Sequence, residues 1–338
     1  MTPPDAAPVR GVRDPVHRTS TSTVVLRAGG ARLEVALTGA TALRWFVPLL
    51  GGTWDLLDGY RNDQELLSQD GVRNGIMAPF CNRVADARYT FDGAVHDLLP
   101  GATERAVYHG LVRTEPFGLV RLDEQPDRAE AHLRCTALAA GTAVGYPFPV
   151  VVDVTYTLGP SSLDVLVSGT NLGGQPAPYT SGWHPYFRLP TAPVVDRLRL
   201  QVPATFRVRT DGHLLPLPGE RAFEASRGVA WTPVGGAVVD AAFGGLTADG
   251  PARSVLTDPA TGVRITVRQE RGLVHVFTGD TLARDQRASI AIEPVEAMTD
   301  AFNRDDCAAV VLLEGGARRD FRFGVAVDQV TPGAVRNS

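Results

Sequence analysis

Apolar and polar residues alternate with a period of two along most of the chain. In "GVRITVRQ", Val263, Ile265 and Val267 interleave with Arg264, Thr266 and Arg268, the pattern of a strand with one buried face. "ARLEVAL", "RLRLQV" and "FRFGVAV" alternate likewise, while "VVVDVTYTL" and "SLDVLVSGT" are strand-like and rich in β-branched residues. Turn sequences such as "DPATG", "LGPSS" and "LGGQPAP" separate these runs. Helical periodicity is scarce, and "DQELLSQD" is one of few short candidates. Many short strands divided by frequent turns predict an all-β sandwich.

Residues 1–20 are rich in Pro, Ala, Asp and Arg without periodicity, which predicts a flexible tail, and residues 333–338 form a second short one. No linker-like shift in composition divides residues 21–332, so one large β-sandwich domain is expected there. With 338 residues, 44% of them hydrophobic, the chain can bury a sizeable core.

Composition removes several functions. A net charge of −4 offers no basic field for nucleic acid or an anionic membrane surface. No apolar run is long enough to span a bilayer, and the opening residues hold no apolar leader, so a cytoplasmic protein is expected. Cys81, Cys135 and Cys307 lack metal-ligand spacing, and their odd number argues against a disulfide framework. Lysine is absent, so all 33 basic residues are arginine. That excludes Schiff-base chemistry and the phosphate-binding P-loop lysine.

Four polar islands interrupt the strand-like pattern. In "APFCNRVADARYTFDG", Asn82 and Arg83 precede a strand and an Asp-Gly turn. Arg83 suits either a surface ion pair or the neighbouring hydroxyls of a ligand. In "YHGLVR", His109 abuts Gly110, which permits close approach of backbone or ligand. In "SGWHPYFRL", His184 lies among Trp183, Tyr186 and Phe187, either a sugar-stacking platform or an aromatic core cluster. In "IAIEPVEAMTDAFN", an apolar strand ends in Glu293. A carboxylate there must be satisfied by loop N–H groups or used as a general base.

Spacing alone does not bring these islands together. Their order resembles the aldose 1-epimerase (galactose mutarotase) family over most of the chain. "GIMAPFCNRVADARYTFDG" is similar to that family's Asn-Arg segment, "YHGLVR" to its His-Gly segment, and "SGWHPYFRL" to its His-x-Tyr-Phe segment. "VVDAAFGGL", "HVFTGD", and "IAIEPVEAMTDAFN" followed by "VVLLEGG" continue the correspondence. Five positions depart from it: Glu314 replaces a usual proline, Val295, Glu296 and Met298 alter the wall behind Glu293, and His275 stands where many relatives carry glutamine or a hydrophobe.

The resemblance implies the large β-sandwich of the galactose mutarotase-like type, acting on a small monosaccharide as a monomer or homodimer. It implies interconversion of the α and β anomers of a free aldohexose such as galactose or glucose. Glu293 would be the base on the anomeric hydroxyl and His184 the acid at the ring oxygen, its charge sustained by a carboxylate or partial solvent access. His109 would bond near the ring oxygen, and Arg83 and Asp240 would hold sugar hydroxyls, with Asn82 and His275 as further contacts. No metal or organic cofactor is implied, because the reaction involves neither redox nor carbanion chemistry. Three alternatives stand beside this reading. One is an epimerase of a phosphorylated or otherwise derivatised hexose, which needs an arginine cluster. Another is a non-catalytic carbohydrate-binding protein, and the third is a metal-dependent hydrolase on His109, His184 and Glu293.

Overall fold

The computed structural model describes residues 22–231, 233–246 and 250–331. The tails expected at 1–20 and 333–338 lie outside them. Two large antiparallel sheets dominate. The nine-stranded sheet runs in the order Val229–Trp231, Arg199–Val202, Ala252–Thr257, Val263–Gln269, Arg318–Gln329, Ser162–Asn171, Val150–Leu158, Arg128–Cys135, Gly118–Gln125. Most of the alternating segments found in the sequence are its inner strands, while "ARLEVAL" supplies Ala31–Ala36 of a separate four-stranded sheet. In Val263–Gln269, Val263, Ile265 and Val267 are buried, and Arg264, Thr266 and Arg268 only partly so.

The second sheet carries Asp240, His275 and Glu293 of the residues singled out from the sequence. Its order is Phe223–Ala225, Phe206–Val208, Asp240–Gly244, Leu273–Phe277, Ile290–Val295, Gly182–Trp183, Ile76–Met77, with Tyr186–Phe187 also pairing to Ile290–Val295. The two sheets meet through their apolar faces, where Trp183 of the second stacks on Phe323 of the first at 5.8 Å. Trp183 and Phe187 therefore belong to the core, and their buried area makes them anchors for the segment between them. A four-stranded sheet, Thr23–Ala28 to Gly52–Asp55, adds to the same core. The expected short helix forms at Asp63–Ser68, where the Asn62 side chain caps Glu65 N–H at 2.9 Å.

One expectation is corrected. Glu293 does not end its strand, which continues through Pro294 to Val295. A proline is normally kept out of an inner strand because it cannot donate to the ladder. Here the neighbouring strand is interrupted where that donor would be needed. Gly182 pairs with Val295 and Tyr186 with Ala291, while the residues between them leave the ladder. His184 instead donates its N–H to Gly75 and accepts from Asn74 N–H, both at 3.0 Å. The break that tolerates Pro294 thus turns His184 out of the sheet beside Glu293.

Candidate active site

Side chains on alternate positions of a strand share a face. Glu293 lies directly across from His275, and Phe277 across from both Ala291 and Asp240. Asp240, Phe277, His275 and Glu293 therefore point together, away from the core, into a cavity of about 520 Å³. His184 and Tyr186 join them from the interrupted strand, and Asn82, Arg83, Tyr108 and His109 close the opposite side. All seven residues singled out from the sequence line this cavity.

One chemical pair is His184 and Glu293, with Nε2 3.3 Å from Oε1. The imidazole is fixed by stacking on Tyr186 at 5.0 Å and by the edge of His109 at 4.9 Å. Tyr186 is held in turn by its hydroxyl, which donates to Gly71 O at 2.8 Å. Glu293 is 1% exposed. Burial pushes its carboxyl up to about 8, against the opposing charge of His275. Burial also pushes His184 down to about 3, and the charge of His275 adds to this. This corrects the expectation that solvent access would keep His184 charged: it is 5% exposed, and its carboxylate neighbour is itself protonated. The pair holds one proton between those limits, and burial favours its rest on Glu293.

Asp240 and His275 form a second pair, Nε2 to Oδ1 at 2.6 Å. Burial opposes the charge on each, but an ionised Glu293 and the contact with Asp240 raise His275 above its ordinary value. Burial would raise Asp240, but the bond and charge of His275 together with the charges of Arg83 and His184 leave it lowered. His109 is driven well down by burial and by the neighbouring His184, Arg113 and Arg83, so it is neutral. Its Nδ1 faces the Met77 sulfur at 2.9 Å.

The loop carrying Asn82 and Arg83 is positioned by its backbone. Asn82 O accepts from His109 N–H at 2.7 Å, and Asn82 Oδ1 accepts from Arg83 Nη1 at 2.8 Å. Arg83 O accepts from Asp300 N–H at 2.8 Å, and Asp300 Oδ1 accepts from Ala85 N–H at 2.9 Å. The "TDAFN" segment is thus a brace for the arginine loop. Arg83 makes no ion pair among the described residues, so its donors remain for a ligand. Gly110 has φ 78°, and a Cβ there would lie 2.1 Å from Ala78 O, so only glycine lets His109 reach the wall. The altered wall behind Glu293 is also accounted for. Glu296 is buried, accepts from Ser181 N–H and Oγ at 2.8 and 2.9 Å, and pairs with Arg271 at 2.6 Å.

The sequence did not single out Tyr186 as a cavity residue, nor the segment Gln69–Val72 that forms one rim. That rim carries no chemical signature. It is placed by left-handed backbone at Gln69, Gly71 and Val72 after the short helix.

The aldose 1-epimerase family model matches residues 22–322. The chain belongs to the aldose 1-epimerase family. It is 25% identical over 253 residues to the uncharacterized protein YihR of Escherichia coli K12, covering 74% of this chain and 77% of that one. An aldose epimerase homologue from C. elegans superposes with a TM-score of 0.76 at 17% identity, over 92% of this chain and 100% of that one. Galactose 1-epimerase from Lactobacillus acidophilus superposes at 0.74 with 15% identity, over 91% and 94%. The fold is accordingly galactose mutarotase-like, and the family is one of isomerases acting on sugars. Among the described residues, no helix is long and apolar enough to cross a membrane.

Proposed function

We propose that this protein interconverts the anomers of a free aldohexose by general acid–base ring opening. The observation that carries the reading is the His184–Glu293 pair, a proton donor and acceptor 3.3 Å apart in a sugar-sized cavity. Ring opening removes the proton on the anomeric oxygen, breaks the bond between C1 and the ring oxygen, and delivers a proton to the ring oxygen. The open-chain aldehyde rotates about C1–C2, and closure reverses both transfers. Glu293 takes the first proton and His184 gives the second. That requires the tautomer with the pair's proton on His184, and a transfer within the 3.3 Å contact interconverts the two forms. After opening, the proton lies on Glu293, the arrangement that burial favours.

His109, neutral and bonded through its backbone to Asn82, supports the ring oxygen. Arg83 and Asp240 hold hydroxyls, with Asn82 fixing the guanidinium and His275 fixing Asp240. A derivatised, anionic sugar would call for several cations, and Arg83 is the one arginine among the described residues lining the cavity. This favours a neutral sugar. A purely binding protein has no use for a proton pair forced into burial at the cost that Glu293 implies.

The test is polarimetry of freshly dissolved α-galactose, α-glucose, xylose and arabinose with chelator-treated protein. Faster approach to equilibrium with galactose or glucose supports the reading, and acceleration confined to xylose or arabinose moves it to a free aldopentose. No acceleration with all four contradicts it and favours a derivatised sugar.

A further inference from the structure

His109, His184 and Glu293 form an arrangement that proton transfer alone does not require. Each offers one ligand atom, and these atoms all lie within 4.8 Å of one another among buried surroundings. At bonds of about 2.0–2.1 Å, two ligands of a tetrahedral zinc ion stand roughly 3.3 Å apart. The His184 Nε2 to Glu293 Oε1 separation is already 3.3 Å. The longest separation, 4.8 Å, needs to shorten by about 1.5 Å. His109 has its Nδ1 turned to Met77, which leaves Nε2 as its ligand atom.

The donor set selects the ion. Two imidazoles and one carboxylate suit zinc, cobalt or copper and not magnesium, which prefers oxygen ligands and keeps its water. The surroundings decide whether the ion would be resident or transient. Histidines that hold a permanent metal donate their other N–H to an acceptor, which orients the ring and strengthens the bond. The Nδ1 of His184 is buried without a hydrogen-bond partner. Arg83 faces the same space and repels a cation, and Asp240, paired with His275, offsets part of that charge.

We propose that the His109–His184–Glu293 triad reversibly captures a divalent transition metal and that occupancy switches off ring opening. The ion takes the lone pairs on Glu293 and His184 that must accept and carry the proton. The metal-binding half stands on geometry alone, and the inhibitory half rests on the epimerase reading above.

Chelator-stripped full-length protein is titrated with cobalt(II), read by the visible absorption of a four-coordinate ion, and then with zinc chloride to displace it. One ion per chain is expected. His109→Ala and Glu293→Gln, each checked for folding by thermal melt, should weaken binding by at least about tenfold. Zinc should abolish mutarotation, EDTA should restore it, and magnesium should do neither. No uptake at concentrations on the order of 100 μM overturns the site, because three protein ligands with one open position are a usual complement for zinc. Uptake that survives both substitutions overturns it too, since the ion then sits elsewhere, and a rate that rises with zinc overturns the inhibition. Cobalt binding that both variants weaken, in a protein that mutarotates no sugar, upholds the metal site and overturns the epimerase reading with the inhibition that depends on it.

Discussion

His275 and Glu293 face each other across two neighbouring antiparallel strands, His275 pairing with Asp240 and Glu293 with His184. His275 is paired with Asp240 at 2.6 Å and held above its ordinary value, whereas burial pushes Glu293 up to about 8. A histidine biased towards its charged form thus stands beside a carboxyl biased by burial towards its protonated form. That relationship makes Glu293 usable as a base: the field of His275 opposes burial and brings the ionised form closer.

The first prediction concerns where the proton rests. At neutral pH the infrared spectrum should contain the carbonyl stretch of a protonated carboxylic acid that disappears in Glu293→Gln. The same band should be lost above about pH 8, where the carboxyl ionises. A wild-type spectrum identical to that of Glu293→Gln at neutral pH would show Glu293 to be ionised, contrary to its burial.

Stability should follow from the same shift. Glu293 has an ordinary value of 4.5 and a folded value of about 8, so its favourable contribution is complete below 4.5 and is lost as pH rises to 8. Glutamine keeps the shape and does not ionise. Glu293→Gln should therefore match the wild-type melting temperature near pH 4.5 and exceed it by a few degrees at about pH 8.5. Thermal melts across that range check this, and a gap that stays constant with pH contradicts the assignment.

Much of this was legible from sequence, for identifiable reasons. A period of two marks strands such as Val263–Gln269 because one face is buried and the other is not. The site residues were legible as polar interruptions of apolar strands, since a buried polar group must be satisfied or used. Three features were not. The passage of the strand through Pro294 depends on a gap in a neighbour more than a hundred residues away. The role of Tyr186 depends on whether an aromatic ring faces core or cavity, and in "WHPYF" adjacent rings do both: Trp183 stacks on Phe323 while Tyr186 stacks on His184. The charge of His184 depends on the depth of burial, which no local pattern records.

Arg83 should act through binding. Its guanidinium contacts Asn82 and no carboxylate among the described residues, so Arg83→Ala leaves no buried charge unpaired. KM should rise by roughly 10–100-fold, the loss expected of contacts shared by ground and transition states, with kcat changing little. Steady-state kinetics decide. A kcat that falls while KM holds would place Arg83 in the chemical step instead.

Gly110 should be far less tolerant than Gly93, though both have left-handed backbone at φ 78° and 75°. Gly93→Ala meets nothing within 4 Å and should cost only the conformational penalty of about 1–2 kcal/mol. Gly110→Ala drives a methyl into Ala78 O and so displaces His109. It should lower the melting temperature by more and also reduce mutarotation, whereas Gly93→Ala should spare activity. Equal effects of the two substitutions on activity would dissociate His109 placement from the reaction.

The pair itself is tested most directly by polarimetry of α-galactose and α-glucose with wild type, His184→Asn and Glu293→Gln, each shown to be folded by its thermal melt. The wild type should accelerate mutarotation, and either substitution should lower kcat by on the order of 10²–10⁴, the range for a positioned proton-transfer group, with KM changing far less. A folded His184→Asn or Glu293→Gln that keeps near-wild-type kcat would contradict acid–base ring opening by these two residues.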